Sequence, residues 1–495
     1  MQHKALTLAV AAALAGIAGS ASAAYTYTAA NTAVVNISGS SATNGQLKTW
    51  AQNVLCDSTN QTTLDFDSNN FAVVCTPKPG KITLSAGKTQ IAVVKNSEGG
   101  SGQGITPEIA QSTKPMVDVF SAPLARHNVI PDIGVSDEEP AVLVAAGAAS
   151  GDISKLTSEP LNVVTFGTPV TLGLYHALQD AQIASGRLAS SCKGTPGTNN
   201  PRDAQGYSVS EACMPSLSKA QIASIFSGNA VDWSEFGLTR PAGSDTAIYV
   251  ARRVFSSGTQ TGARVFFLND PCSPGVGKFV AGNDGQSATA ADACNAAAPA
   301  GTVFEGSGSG NVEACMTNHD RNGRWAISIN SLEFPAASND TTPEYTVGGG
   351  AATGASIANK DYQRHIKIDG MSPSSFNTAV NRYSNWVEAT MNYSNVVGLS
   401  ADAAALKTAM VAGFNDPAVL IGLNNSFNTT TLWHAAGDTL LDAGIIAPAQ
   451  SGAPAAVATV ADTHTSPIMY YTHSISGAPN TCQPAMTYWA TGVSN

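Results

Sequence analysis

Short apolar segments rich in β-branched residues alternate with helical patterns along this chain. Residues 46–55 follow a helical pattern, and near-continuous apolar runs are typical of strands in a parallel sheet covered on both faces. The predicted strands are residues 34–38, 91–94, 116–120, 161–166 and 170–174. This alternation predicts an α/β architecture.

One helix has clear signals at both ends. Ser218 and Gln221 have the spacing of a capping box, and Leu217 and Ile222 have that of a hydrophobic staple. Gly228 is typical of the residue that ends a helix. The segment therefore predicts a packed helix that starts after Ser218.

The N-terminus has the layout of a secretory signal. Lys4 precedes an apolar run at residues 5–17, and Ala21-Ser22-Ala23 is a small-residue cleavage site. The run is too short to span a bilayer, and no later stretch reaches 18 uninterrupted apolar residues. We therefore expect residues 1–23 to be a signal peptide, the protein to be periplasmic or secreted, and no segment to insert into a membrane.

The chain contains eight cysteines, an even number that predicts disulfides in an exported protein. Spacing favours Cys56 with Cys75 and Cys192 with Cys213, each closing a loop worth about 3 kcal/mol. The pairing of the other four stays open. Because no Cys-x-x-Cys pair and no zinc-finger spacing occurs, we predict neither a metal site nor a cofactor.

Length and charge limit the classes of function. A chain of 495 residues predicts two or three domains. Its net charge of −10 argues against nucleic acid as a partner. Only 12% of the residues are charged. Segments 191–210, 272–312 and 335–360 are rich in Gly, Ser or Ala, and we expect them to be loop insertions, some tethered by disulfides.

Four segments place small polar residues at the end of a predicted strand: 37–44, 99–104, 132–137 and 248–259. In the fourth, a strand ends at Arg253 and turns through Ser256-Ser257-Gly258-Thr259 into a helix. Free N–H groups and the helix dipole at such a terminus attract an anion, and a guanidinium adds forked donors. Ser and Thr at helix starts also serve simply as caps, which is the alternative interpretation.

Together these segments resemble, in order and spacing, the phosphate-binding protein of the phosphate ABC importer, a type II periplasmic binding protein. The matching segments are Ser41-Ala42-Thr43, the loop from Gly100 to Gly104, the turn Gly134-Val135-Ser136-Asp137, the helix at 217–233, the turn at 252–259, the strand at 325–332 and the segment at 368–393. The resemblance covers most of residues 34–395, apart from the insertions, and is weak over the final hundred.

The resemblance implies an α/β, two-lobed type II periplasmic-binding-protein fold, with a ligand cleft between lobes joined by two crossover strands. Lobe one would comprise residues 24–165 and 390–495. Lobe two would comprise residues 166–389 and carry the long insertions.

It also implies a ligand site for a phosphate-like oxyanion. Thr43 and Ser101 would donate hydrogen bonds to ligand oxygens, and Asp137 would accept one from a protonated ligand oxygen. Arg253 would make the ionic contact. The helix N-terminus would bind through Ser257, Gly258 and Thr259.

Two positions depart from the family pattern. Phe255 replaces an acid that commonly follows the Arg by two residues, and Asn44 replaces an aromatic residue. We expect the first change to leave Arg253 without a neutralising neighbour and Phe255 to narrow the site, which puts phosphate specificity in question.

The resulting hypothesis is a solute-binding protein that captures a small oxyanion for import, with ABC importer membrane subunits as partners. A secreted surface, structural or adhesive protein that reuses the fold is the alternative, favoured by sparse charge, long insertions and extra cysteines. A secreted hydrolase ranks third, because the chain lacks G-x-S-x-G, H-E-x-x-H and Walker-type motifs. We therefore predict that the protein is not an enzyme.

Overall fold

The computed structural model describes residues 25–195, 205–208, 210–283, 294–295, 297–332, 363–427, 445–449, 467–474, 479–489 and 492–493. The predicted signal peptide and the predicted insertion at 335–360 lie outside these residues. No helix in the described part of the chain is long and apolar enough to cross a bilayer.

Eighteen strands are found in the described residues. They are β1 Thr32–Gly39, β2 Cys56–Asp65, β3 Asn70–Pro77, β4 Gln90–Asn96, β5 Lys114–Asp118, β6 Ala125–Val129, β7 Ile133–Ser136, β8 Leu156–Thr171, β9 Ser216–Leu217, β10 Tyr249–Arg253, β11 Val303–Gly306, β12 Ala326–Ser328, β13 Asn330–Ser331, β14 Gln363–Ile368, β15 Trp386–Ser394, β16 Tyr471–Thr472, β17 Met486–Trp489 and β18 Gly492–Val493.

Ten α-helices accompany them in the same residues. They are α1 Asn44–Trp50, α2 Thr106–Ala110, α3 Pro140–Ala145, α4 Leu172–Ala184, α5 Lys219–Phe226, α6 Gly258–Leu268, α7 Ser309–Arg321, α8 Ser375–Ala379, α9 Ala401–Phe414 and α10 Pro417–Phe427. A π-helical turn at Ala51–Leu55 extends α1.

The principal sheet has the strand order β11-β10-β12-β8-β15-β7-β1-β4-β3-β2. In lobe one, β1 runs parallel to β4 and β7, and β15 runs antiparallel to β7. In lobe two, β10 runs parallel to β11 and β12. β8 pairs with β15 over residues 156–165 and with β12, β13 and β14 over residues 166–171, so it crosses between the lobes and β15 returns. The predicted two-lobed α/β fold with two crossover strands is confirmed.

Each lobe has its own apolar core. Trp50 on α1 stacks on Phe414 of α9 in lobe one, with 5.9 Å between the ring centroids. Trp233 and Phe226 lie in the core of lobe two. Separate cores allow each lobe to keep its shape when the two move relative to one another.

The capping box predicted for α5 is confirmed. Ser218 Oγ accepts from the backbone N–H of Gln221 at 3.1 Å, and Gln221 Oε1 accepts from the N–H of Ser218 at 2.9 Å. Leu217 and Ile222 are both buried in the core of lobe two. An N-cap of this kind is worth about 1 kcal/mol.

Two predictions about local structure are wrong. Residues 161–166 do form part of a strand, but 170–174 is not a further strand, because β8 continues from Leu156 to Thr171 and α4 begins at Leu172. Gly167 does not break β8, and a side chain there would collide with the His365 ring, 2.0 Å from the added Cβ. The predicted loop at 272–312 contains β11 and the start of α7, whose apolar residues pack against β10.

Four disulfides tie the fold together. Cys56–Cys75 and Cys192–Cys213 are the two pairs that spacing favoured. The other four cysteines pair as Cys294–Cys315, within lobe two, and Cys272–Cys482, which are 210 residues apart.

Candidate functional site

The polar ends of several strands meet where the two lobes touch. β1, β4 and β7 contribute the loops that follow them in lobe one, and β10 contributes Arg253 and the turn into α6 in lobe two. Ligands of open α/β sheets bind beyond the carboxyl ends of the strands. The candidate site therefore lies between the lobes at these strand ends.

Arg253 is the central cation of the site and is only 1% exposed. Its guanidinium donates to the hydroxyls of Ser41 and Ser309, to the carbonyl of Ser307 at 2.8 Å, and to the carbonyl of Gly306 at 3.3 Å. Burial lowers the pKa of Arg253 to about 10, while Asp137 raises it. The guanidinium is thus charged at neutral pH and held in one orientation.

Asp137 is the carboxylate of the site and is fully buried at the end of β7. Its Oδ1 accepts from the hydroxyl of Ser40, and its Oδ2 accepts from Thr259 Oγ1 at 3.2 Å. Burial raises the pKa of Asp137, and the Ser40 hydrogen bond and the Arg253 charge oppose that rise. Asp137 is therefore oriented from both lobes and faces the start of α6.

The N-terminus of α6 forms the lobe-two wall of the site. Ser257 occupies the N-cap position, but its side chain makes no capping hydrogen bond. Its Oγ is buried and has no hydrogen-bond partner among the described residues. The cap interpretation therefore does not hold for Ser257. A buried hydroxyl beside the free N–H groups of an eleven-residue helix favours a ligand at this terminus.

The lobes approach so closely that glycine is required in the site. A Cβ on Gly258 would lie 2.4 Å from Ser101 Oγ and 2.8 Å from Asp137 Cβ. Ser101 Oγ itself accepts from the backbone N–H of Asp137 at 3.0 Å. Across the boundary, the N–H of Gly102 donates to the carbonyl of Ser256 at 2.8 Å.

The structure thus brings all seven predicted site residues to one region, with Thr43 at its margin. The Thr43 hydroxyl donates to the carbonyl of Ser40 at 3.1 Å, inside its own loop. Asn44 donates to Ser97 Oγ at 2.8 Å. Asn44 therefore ties the loop after β1 to the loop after β4.

Phe255 does not line the site, so the expectation that it narrows the cleft is wrong. Its side chain is 49% exposed. The Arg264 guanidinium lies 4.7 Å from its ring centroid, and Gly147 lies beside its edge. β10 ends at Arg253, and a turn closed by the hydrogen bond from the N–H of Ser257 to the carbonyl of Val254, at 2.9 Å, breaks the alternation of the strand before residue 255.

Sequence reasoning missed three hydroxyl residues of the site: Ser40, Ser41 and Ser309. Ser41 Oγ lies 3.0 Å from Ser309 Oγ, and both accept from Arg253. Ser40 and Ser41 lie three and two positions before Thr43, in a segment that was already selected, so proximity in sequence was a usable signal. Ser309 lay in a segment predicted to be a loop and gave no such signal.

Lys95 is a second cation that the sequence did not reveal. It is fully buried near the end of β4, and its Nζ donates to the carbonyl of Gly39 at 2.7 Å. Burial lowers the pKa of Lys95 well below its usual range; Lys114 and Arg253 lower it further, and Asp137 raises it. Among the described residues no carboxylate lies within ion-pair distance of Lys95.

One further group of ligand-type side chains lies elsewhere in lobe two. Ligand atoms of Cys294, Cys315 and His319 are within 4.8 Å of one another. Cys294 and Cys315 form a disulfide, so neither sulfur is the thiolate that a metal requires. Burial lowers the pKa of His319 to about 3, which keeps its ring neutral.

Together these groups define the chemistry that the site can perform. Arg253 and Lys95 can supply two positive charges, Asp137 supplies one acceptor, and the start of α6 supplies N–H donors. A buried excess of positive charge is costly unless an anion compensates it. The hydroxyls and N–H groups can bind and orient the oxygens of an anion.

The fold and the position of the site define the class: a two-lobed α/β protein of the type II periplasmic-binding-protein fold with a buried polar site between its lobes. No protein-family model and no curated protein sequence matches the chain.

Several solved structures show a distant likeness. A substrate-binding protein with bound phosphate from Clostridium perfringens has 13% identity and a TM-score of 0.40, over 80% of this chain and 98% of that one. An ABC-type phosphate transport receptor from Vibrio cholerae has 11% identity and a TM-score of 0.36, over 80% and 99%. A DING protein has 15% identity and a TM-score of 0.36, over 82% and 96%. The fold assignment itself rests on the strand order and the crossover strands.

Proposed function

We propose that this protein captures phosphate, or an oxyanion of similar shape and charge, in the site between its lobes. The observation that carries the proposal is the pairing of buried Arg253 with the start of α6, where Ser257 Oγ has no hydrogen-bond partner among the described residues. The guanidinium, the helix N–H groups and the hydroxyls are the donors that a tetrahedral oxyanion accepts from.

Asp137 supports a ligand that carries a proton. Both of its carboxylate oxygens lie inside the site and accept hydrogen bonds from Ser40 and Thr259. A carboxylate tolerates an anion with an O–H to donate and repels one without it. The proposal therefore favours phosphate over sulfate.

The biological setting is part of the same proposal. A signal peptide at 1–23 would deliver the protein to the periplasm or the exterior, where the four disulfides would form. ABC importer membrane subunits would then receive the anion from the opened lobes. The lobe boundaries, 24–165 with 390–495 and 166–389, belong to this proposal.

Calorimetric titration of the oxidised protein with phosphate, arsenate, sulfate and nitrate tests the proposal. We expect saturable 1:1 binding of phosphate and arsenate, and much weaker binding of sulfate and nitrate. Absence of heat for every anion, checked by thermal denaturation with and without each one, would reject the proposal.

A second candidate is a secreted surface or structural protein that reuses the fold. One observation favours it: Arg253 already donates to acceptors of the protein itself, Ser41, Ser309 and Ser307, so part of its hydrogen-bonding capacity serves contact between the lobes. This candidate predicts that no oxyanion raises the melting temperature, whereas a bound ligand raises it by mass action.

A further inference from the structure

Residues 479–485, which we call the C-terminal strap, lie across the boundary between the lobes. Cys482 is disulfide-bonded to Cys272, which follows α6 in lobe two. The preceding residue, Thr481, donates its N–H to Glu139 Oε1 at 2.9 Å. Its hydroxyl lies 2.5 Å from Glu138 Oε2 and 2.8 Å from Glu139 Oε2. Because both glutamates follow β7 in lobe one, two adjacent residues of the strap attach to different lobes.

The attachment to lobe two lies beside a buried ion pair. Asp270 is fully buried and its Oδ2 lies 2.6 Å from Arg264 Nη2, on α6. This ion pair holds the turn that carries Cys272 against the helix whose N-terminus forms the candidate anion site. A movement of α6 away from lobe one is therefore transmitted through the disulfide to Cys482.

One of the three contacts of Thr481 with lobe one needs a protonated carboxyl group. The single hydroxyl hydrogen of Thr481 can go to only one of the two carboxyl groups near it, so the other contact needs a protonated carboxyl as donor. Burial raises the pKa of Glu138 and of Glu139, which favours that proton. If the lobes part with the strap fixed to lobe two, these buried carboxyl groups lose Thr481 as a partner.

A third contact anchors the strap at the crossover strands. The backbone carbonyl of Gln483 accepts a hydrogen bond from His473 Nδ1 at 2.7 Å. The N–H of Asn480 donates to the carbonyl of His473 at 3.2 Å. The N–H of His473 in turn donates to Glu388 Oε2 at 2.9 Å, on β15. The strap is thus tied to both lobes and to the strand that connects them.

We propose that the C-terminal strap holds the two lobes in their closed arrangement, so that the site between them opens only when Thr481 leaves Glu138 and Glu139. Closure by the strap is independent of the proposed function. Its consequence for ligand exchange rests on that function, because slow opening would make release of bound phosphate slow.

Hydrogen exchange in the absence of any anion tests closure alone. The amide of Gly102 bonds to Ser256 across the boundary, so peptides 99–104 and 256–260 report opening of the lobes. We expect Thr481→Val, which keeps every disulfide, and Cys272→Ser/Cys482→Ser to exchange about tenfold faster than wild type in these peptides.

The matched control is Cys192→Ser/Cys213→Ser, which removes a disulfide that lies within lobe two. We expect it to leave both peptides unchanged. Unchanged exchange in Thr481→Val, or equal acceleration in the control, would overturn the proposal. If the Cys272→Ser/Cys482→Ser variant fails to fold, Thr481→Val still decides the question.

Release of radiolabelled inorganic phosphate from the same proteins tests the consequence. We expect about tenfold faster release from both strap variants than from wild type and the control. If phosphate does not bind wild type, the proposed function fails while the exchange experiment still judges the strap. Equal release rates beside faster exchange would refute the link between strap and ligand release.

Discussion

Thr259, in the first turn of α6, donates a hydrogen bond to Asp137 at the end of β7, with 3.2 Å between Oγ1 and Oδ2. The two residues are 122 positions apart and belong to different lobes. The contact places the carboxylate beside the helix N-terminus, so an acceptor and a set of donors lie next to one another. A protonated oxyanion satisfies both kinds of group, which is the basis of the first two predictions.

Replacing Asp137 with Asn should change selectivity between anions. The amide can donate a hydrogen bond where the carboxylate only accepts one, so sulfate should bind better relative to phosphate. We expect the ratio of the sulfate Kd to the phosphate Kd to fall about tenfold, which corresponds to about 1.4 kcal/mol. Calorimetric titration with both anions measures the ratio. If Asp137 only stabilises the turn before Glu138, the variant will lose stability and keep the wild-type ratio.

Removing the Arg253 guanidinium should weaken phosphate binding far more than removing one hydroxyl. We expect Arg253→Ala to cost about 3 kcal/mol and Thr259→Ala about 1 kcal/mol. Arg252→Ala is the matched control, because Arg252 is also buried but pairs with Glu305 at 2.9 Å. Equal Kd values for wild type and Arg253→Ala in calorimetry would remove the site assignment.

Lys95→Met should lower affinity and raise stability at the same time. A buried lysine without a carboxylate partner destabilises the fold, so the ligand-free variant should melt about 2–4 °C higher, for a gain of about 1 kcal/mol. Phosphate should bind about tenfold more weakly, because one compensating charge is lost. A lysine with a purely structural role would instead lower the melting temperature and leave Kd unchanged.

The same residue should couple phosphate binding to pH. Burial lowers the pKa of Lys95, so Lys95 is neutral in the ligand-free protein once the pH exceeds that lowered pKa. A bound anion favours the charged form of Lys95, so in this pH range Lys95 should take up a proton when phosphate binds. Affinity should then fall as the pH rises, more steeply in wild type than in Lys95→Met. Calorimetry in buffers of different ionisation enthalpy counts the protons. Lys193→Met is the control, because Lys193 lies outside the site and pairs with Asp180, with 2.7 Å between Nζ and Oδ1.

Glu388 should make the protein more stable in mild acid. Burial raises its pKa to about 7, so its contribution to stability is present below about pH 4.5 and is lost as the pH rises through 7. The side chain in Glu388→Gln stays neutral at every pH. The change in the free energy of unfolding that the substitution causes should therefore be about 3 kcal/mol more favourable at pH 8 than at pH 4.5. Urea denaturation across this range measures the difference. A difference between the two proteins that is independent of pH would contradict the prediction.

Glu159→Gln is the control for that experiment. Partial burial raises the pKa of Glu159. Lys407 and Tyr393 together lower that pKa by more than burial raises it, so the net shift is downward. Its contribution is therefore present above its ordinary pKa and is lost as the pH falls. The two variants should change the pH dependence of stability in opposite directions.

Local features of this protein were predictable because neighbouring residues encode them. The capping box at Ser218 and Gln221 needs only a spacing of three residues, and the pairs Cys56–Cys75 and Cys192–Cys213 close loops with sequence separations of 19 and 21. The strand ends that carry Asp137 and Arg253 were also visible, since apolar runs stop where polar turns begin.

Only the tertiary structure decided which distant residues meet. Ser309 and Lys95 reach the site because β11 lies beside β10 and β4 beside β1, and Cys482 reaches Cys272 across 210 positions because the strap lies over the lobe boundary. Periodicity and capping depend on hydrogen bonds between near neighbours, so a sequence states them directly. Contacts between lobes depend on strand order and on how closely two separately formed cores approach. No local segment of the sequence determines either of these properties.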